Sequence, residues 1–281
     1  VNDDLKVNLV FNQFDMPLAQ DPLGLKRSEL IRDPSMAGTN AVTAKTRKIV
    51  LQNQLGSSTT YTLDKDHSLT GRIYYGTRDN TQYQTTSWIG LNRTYYGVGL
   101  QYNARSVVSD TPVEWAAGYE FDRSREYRQS GGVTSSGQKS GTLSRSEDNQ
   151  SENSDLFVQG TALLSDHVTL AAGLRNSTVR FSSDDYMPVI VGDPDGSGSV
   201  VYRATTPVLG LTYHASDALN LYANYGKGFE SPTLAEMAYS GNNPAAGPFN
   251  TALNASSSQH YELGAKWTPS DHSRVDLALY Q

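Results

Sequence analysis

Guanidinium and flat aromatic side chains fall close together at two places along the chain, Arg78 with Tyr83 and Trp88, and Tyr127 beside Arg128, and a further aromatic candidate, Tyr186, follows. A guanidinium gives paired hydrogen bonds to carboxylate or phosphate, and a tyrosine or tryptophan ring offers a stacking face. Together they suit an anionic aromatic ligand. The same residue types also anchor membrane proteins, with tyrosine and tryptophan at the headgroup level and solvated arginine above it. Both uses place them near a boundary between an apolar zone and water.

A second set alternates charge with apolar residues: Glu114, Glu120, Asp122, Arg105, Arg175, Glu262 and Lys266. In a wet channel such a row could guide a solute, and most of its members are expected to pair with one another. The stretch GDPDGSG, with Asp193, Asp195 and Gly196, starts like a calcium loop but lacks the later acidic ligands, so a plain turn is expected. The five histidines, His67, His167, His214, His260 and His272, are dispersed and suggest no metal site. There is no nucleophile elbow, HExxH or phosphate loop. A rim protease or lipase would have only His214 and His260 to draw on, so neither a catalytic set nor a cofactor is expected.

These residues sit on segments whose hydrophobicity alternates with period two. Tyr96, Val98, Leu100 and Tyr102 oppose Gly97, Gly99, Gln101, Asn103 and Arg105, while Val113, Trp115, Ala117, Tyr119 and Phe121 oppose Glu114, Gly118, Glu120 and Asp122. Leu219, Leu221, Ala223 and Tyr225 repeat the pattern, as do Leu5 to Phe11 and Val168 to Leu174. About eleven strands result. Long connections are expected near 15–44, 78–92, 129–154, 184–199 and 230–256, and short turns near 64, 109, 165, 215 and 269. The first long connection carries a short helix-like patch at Arg27 to Arg32; the third, rich in Ser and Gly and then acidic, is expected to be mobile. Long and short connections alternate strictly, so all the long ones lie at one end of the sheet. That arrangement belongs to a transmembrane barrel and not to a sandwich.

Composition agrees. Only 37% of the 281 residues are hydrophobic and the mean hydropathy is −0.51, which is poor for a soluble core but natural where every second strand residue is apolar. No apolar run reaches the length of a membrane-spanning helix. The 17 tyrosines suit interfacial girdles. A net charge of −6 argues against nucleic acid as a partner, and the absence of cysteine excludes disulfides and thiolate metal sites. The chain opens without a charged and then apolar leader, as a processed or partial chain would.

Near its end the chain reads YANYGKGFESPTLAEM, followed by a Gly/Asn/Pro-rich gap and HYELGAKW. Through Gly228, Phe229, Glu230, Ser231, Pro232, Thr233 and Glu236, and through Tyr261, Glu262, Leu263, Gly264 and Lys266, it resembles the barrels of TonB-dependent outer-membrane receptors. The resemblance implies an all-β fold: an antiparallel transmembrane β-barrel portion, about 11 strands of a 22-strand barrel, with long extracellular loops and short periplasmic turns. Residues 1–281 would be part of one barrel domain, with the plug and both ends of the barrel lying outside them. Implied partners are the lipid bilayer and lipopolysaccharide, the receptor's own plug, the TonB complex through a segment not in this sequence, and a small-molecule ligand.

The DPLGL, RDNTQYQT and GFESPTLAEMAY wording is closest to the branch that takes up pyrroloquinoline quinone, a polyanionic cofactor. Ferric siderophores are the alternative ligand. A passive porin and a soluble β-sandwich adhesin are alternatives of another class. The 228–236 segment is expected to form a structural corner in which a glutamate ties down backbone.

Overall fold

The computed structural model describes residues 4–190, 195–237 and 249–281. Eleven strands form one sheet in sequence order, each antiparallel to the next. They are β1 Leu5–Gln20, β2 Arg47–Thr62, β3 His67–Tyr83, β4 Ser87–Val108, β5 Thr111–Val133, β6 Lys139–Ser165, β7 Val168–Asp185, β8 Gly198–Ser216, β9 Leu219–Glu230, β10 Ser256–Ser270 and β11 Ser273–Tyr280. Two short helices, α1 Arg27–Arg32 and α2 Thr39–Ala44, lie between β1 and β2, and α3 Leu234–Met237 follows β9. The sheet is open, with β1 and β11 as its edges.

The expected short turns are present. At the β4–β5 turn both central residues, Ser109 (φ 49°) and Asp110 (φ 66°), are left-handed, the geometry that matches the twist of a two-residue hairpin. Two of the expected long connections are much shorter than the sequence suggested. Residues 78–83 continue β3, leaving only 84–86 as a loop, and 129–154 is mostly strand, joined by a turn at 134–138. The third connection is therefore a long hairpin held by a ladder of backbone bonds, and not a mobile loop. Likewise β1 continues past Phe14 to Gln20.

One face of the sheet carries a registered apolar band. Phe11 pairs with Leu55, Leu55 with Tyr75 and Tyr75 with Tyr96 along its upper limit, which continues through Phe121, Leu156, Leu174, Pro207, Tyr225 and Tyr261. The limit steps along successive strands: Phe121 lies opposite Ser154 and Leu156 opposite Asn176, as tilted strands require. Tyr61, Tyr102, Trp115, Tyr213 and Trp267 mark the lower limit next to the short turns. Leu100, Leu156, Leu211, Leu263 and Leu277 are exposed within the band, which is where lipid would cover them.

The opposite, polar face is concave. Its side chains make contacts that skip a strand, and three of them cross a glycine. Tyr74 on β3 donates to Asp122 on β5 over Gly97, and Arg72 reaches Glu120 at 3.3 Å over Gly99. Tyr95 on β4 reaches Gln54 on β2 at 3.2 Å over Gly76. Arg175 on β7 reaches Glu120 on β5 at 3.0 Å.

Candidate functional site

The upper ends of β3 to β6 rise beyond the apolar band. On the polar face, cross-strand pairing sets Gln52, Arg78, Arg93, Glu126 and Asn149 in one line. Arg93 donates through Nε to Glu126 at 2.8 Å and again through Nη2, which neutralises the buried Glu126. In the next line Arg128 stands between Leu91 and Glu147, but Glu147 is held by Arg145 at 3.0 Å. The Arg128 Nε is buried without a hydrogen-bond partner. Neither Arg78 nor Arg128 takes part in an ion pair among the described residues. Two uncompensated guanidiniums thus flank a neutral Arg–Glu pair at the mouth, an arrangement that attracts carboxylate or phosphate.

The four aromatic candidates lie on the other face, because strand parity separates 83, 88 and 127 from 78 and 128. Tyr83 lies under the Arg47 guanidinium, 3.6 Å from its ring centre, and the same Arg47 donates to the Gly137 carbonyl at 3.0 Å. Trp88 is 4% exposed, with the Lys139 ammonium 3.9 Å above its ring. These contacts weld the β5–β6 turn onto the β1–β2 and β3–β4 connections. Tyr127 shares a hydrogen bond with Ser146 at 3.1 Å, and its ring meets that of Tyr186 at 6.5 Å.

The family-like segment folds inward. Gly228, Phe229 and Glu230 end β9, and after Pro232 a reciprocal cap opens α3. Glu236 accepts from the Thr233 amide at 2.7 Å and from its hydroxyl at 2.9 Å, while the Glu236 amide donates back to the Thr233 hydroxyl at 3.2 Å. The Thr233 amide, then its hydroxyl, hold the Glu236 carboxyl below its ordinary value. Met237 is wholly buried with Phe181, Tyr202 and Phe249, so this segment covers the polar-face side of upper β7 and β8. The Tyr202 hydroxyl donates to the Leu253 carbonyl at 2.8 Å. On β10, Tyr261 packs on Tyr225 in the apolar band, ring centres 5.1 Å apart. Glu262 accepts from Tyr222 at 2.6 Å, and the Tyr222 ring lies over Gly264.

Part of the charged row pairs internally: Arg105 meets Glu114 at 3.0 Å and Arg175 meets Glu120 at 3.0 Å. The other members contact tyrosines, Asp122 and Glu262 accepting from Tyr74 and Tyr222 and Lys266 sitting over the Tyr222 ring, while Arg175 also meets Asp155 at 2.5 Å. Asp155 had no signal in the sequence. It is buried only because strands β5 and β7 bring Glu120 and Arg175 around it. Below the mouth the polar face bounds a cavity of about 500 Å³ whose lining includes Tyr74, Asp122, Asp155, Phe229 and Glu230.

Asp193 lies outside the described residues, and Asp195 accepts from the Ser197 amide at 2.9 Å within its own turn. His214 is held by Asn220 and Thr169, and His260 by Ser258 at 2.8 Å. In the β2–β3 turn, the Asp66 amide and then His67 hold the Asp64 carboxyl below its ordinary value.

A concave polar face, a registered lipid-facing band with two aromatic girdles and a charged mouth define the wall of an outer-membrane β-barrel. The chain belongs to the TonB dependent receptor-like, beta-barrel family, whose model matches residues 2–281. Among solved structures it is similar to the ferric citrate transporter FecA in its unliganded form (17% identity, TM-score 0.77, 99% of this chain and 40% of that one). It is also similar to the siderophore receptor PiuA from Acinetobacter baumannii (12% identity, TM-score 0.65, 84% and 40%) and to the copper transporter OprC (14% identity, TM-score 0.67, 84% and 39%). The chain spans about two-fifths of the length of these proteins. Its family and its structural neighbours are transport receptors, not enzymes.

Proposed function

We propose that this chain forms wall and mouth of a receptor that takes up a small polyanionic molecule across the outer membrane, with Arg78 and Arg128 as its first anion contacts. The observation that supports this reading is the pair of unneutralised guanidiniums on the lumenal face of β3 and β5, one of them with a buried, unpartnered Nε. Polar groups so placed are an unmet demand for an acceptor.

Two ligand chemistries fit. Pyrroloquinoline quinone, a flat polycarboxylate, is favoured by the wording of the first loop and of the 228–239 segment. A ferric chelate is favoured by the similarity to a ferric citrate transporter and a siderophore receptor. In either case the rest of the barrel would pair with the free edges of β1 and β11, a plug would fill the lumen, and the TonB complex would supply the energised step. Walls and loops alone bind and admit.

The test is a titration of the full-length receptor in detergent with pyrroloquinoline quinone, ferric citrate and a neutral ferric siderophore. Either polyanion should bind, and Arg78→Gln with Arg128→Gln should weaken it by about 100-fold, as loss of two charge-assisted contacts does. Tight binding of the neutral chelate alone, unaffected by the substitutions, would overturn the reading.

A further inference from the structure

One ladder of the wall stops while both of its strands continue. β8 pairs with β9 from Ser216 with Leu219 up to Val208 with Gly226, and there the pairing ends. Yet β8 runs on upward to Gly198 against β7, and β9 to Glu230 against β10. The next pairs in register would be Pro207 with Lys227, Thr206 with Gly228, Thr205 with Phe229 and Ala204 with Glu230, and none of them forms. Pro207 accounts for the break: it has no N–H, and proline is confined to strand positions whose N–H side has no partner.

Above the break β9 turns into the lumen. Its register with β10 is unbroken from Leu219 to Glu230, so Phe229 stays on the outward side of the ribbon, the side that carries Tyr225. Phe229 nevertheless packs against Phe181 and Tyr202, which stand on the lumenal face of β7 and β8. An outward side chain meets a lumenal face only where the upper β9–β10 ribbon lies inside the wall, over β7 and β8. From there Phe229, Glu230 and Ser231 form one side of the cavity of about 500 Å³ below the mouth, and Tyr74, Tyr95 and Ser177 are on the other.

We propose that the ribbon of Lys227–Glu230 and Ser256–Gln259 is a hinged flap, and that the wall has a second state in which β9 zips onto β8 up to Ala204 and Glu230. Lying inside, the flap covers the cavity; joined to the wall, it uncovers it. The two states exchange one set of contacts for another. Inside, Phe229 is packed on the aromatic cluster and the facing edges of β8 and β9 stay unpaired. Joined, the edges gain ladder bonds, except at Pro207, and Phe229 is released to the outer surface. An element with two such alternatives is bistable. The hinge is Gly226, the last residue of β9 that pairs with β8, where a Cβ would touch Val208 Cγ1 at 3.6 Å and hinder the swing. The moving part is wall strand and not loop. Its motion rests on the chain being a receptor wall, not on which ligand Arg78 and Arg128 meet.

The experiment uses the full-length receptor in detergent, freed of any other cysteine, with Ala204→Cys and Glu230→Cys introduced together. Residues directly opposite in an antiparallel pair lie within disulfide reach, so mild oxidation joins these two in the zipped state. The disulfide should form. Its rate should rise about tenfold when Phe229→Ala removes the packing that holds the ribbon inside, and should also rise when Pro207→Ala returns the missing donor. A control pair, Leu211→Cys with Ala223→Cys, is already in register and should oxidise at one rate in every variant, which separates flap motion from misfolding. Cover is read separately: the thiol of Ser177→Cys, on the cavity wall, should react with a charged maleimide about tenfold faster when Phe229→Ala is present. The proposal is overturned by no disulfide between positions Ala204 and Glu230 while the control pair oxidises, by a rate indifferent to Phe229→Ala and Pro207→Ala, or by equal labelling of Ser177→Cys with and without Phe229→Ala. None of these readings needs a ligand, so failure here leaves the polyanion reading to its own titration.

Discussion

The Tyr74 hydroxyl on β3 donates to the Asp122 carboxylate on β5, although an entire strand lies between them. The bond is possible because Gly97 on β4, the cross-strand neighbour of both, has no side chain, and the ring occupies the space a Cβ would take. A methyl at Gly97 would sit about where the Tyr74 ring now lies, its Cβ 2.5 Å from Cε1. Gly97→Ala should therefore displace both partners and destabilise the barrel by about 1–3 kcal/mol. Heat unfolding of the full-length receptor in detergent would show it. Gly71→Ala, with open space at its Cβ, is the control expected to be near neutral.

Leu100 and Gln101 are neighbours in sequence and face opposite media. Leu100 is exposed on the apolar band, and Gln101 donates to Asn103 at 2.6 Å on the lumenal face. Leu100→Arg should cost about 2–4 kcal/mol near the bilayer midplane, while Gln101→Arg should cost little in a wet lumen. Equal costs in a lipid-refolding titration would contradict the facing assignment.

The membrane-spanning part was legible in the sequence for the same reason. Between Tyr96 and Tyr102, or Val113 and Phe121, lipid on one side and a wet lumen on the other force strict alternation, and alternation is what a sequence displays. Above the bilayer both faces are wet. Residues 78–83 and 129–133 are polar on both faces, so nothing in their pattern distinguished strand from loop. Candidate residues suffered accordingly. As loop residues Arg78 and Tyr83 would form one cluster; as strand residues of opposite parity they point to opposite faces. Contacts across a skipped strand, such as Tyr74 with Asp122, depend on partners 48 positions apart and leave no local trace.

The cap formed by Thr233 and Glu236 should respond to pH. Hydrogen bonds from the Thr233 amide and hydroxyl lower the Glu236 carboxyl in the folded state. A lowered folded value means the cap's contribution is complete above the ordinary carboxylate range near pH 4.3 and is lost as pH falls through the depressed value. The Thr233 amide should accordingly be well protected at neutral pH, its exchange slow relative to the intrinsic rate at the same pH, and lose that protection on acidification. Glu236→Gln should exchange faster at neutral pH and lose that acid step; persistence of the step would assign it to another group.

Arg175 carries the lumenal charge network of β5 to β7. It contacts Asp155 at 2.5 Å and Glu120 at 3.0 Å, and Asp155 is all but fully buried while the arginine itself is 43% exposed. Replacing the pair by apolar groups would be nearly neutral, but removing only the cation strands a buried carboxylate. Arg175→Met should cost about 1–3 kcal/mol, less than a fully desolvated pair because solvent screens the exposed guanidinium. Adding Asp155→Asn should recover most of that loss, since the neutral amide keeps the partnership with Asn153, now at 2.6 Å from the carboxylate. A double variant as unstable as Arg175→Met would mean that the arginine acts by packing against Phe157, whose ring lies 5.8 Å from its guanidinium, and not by charge.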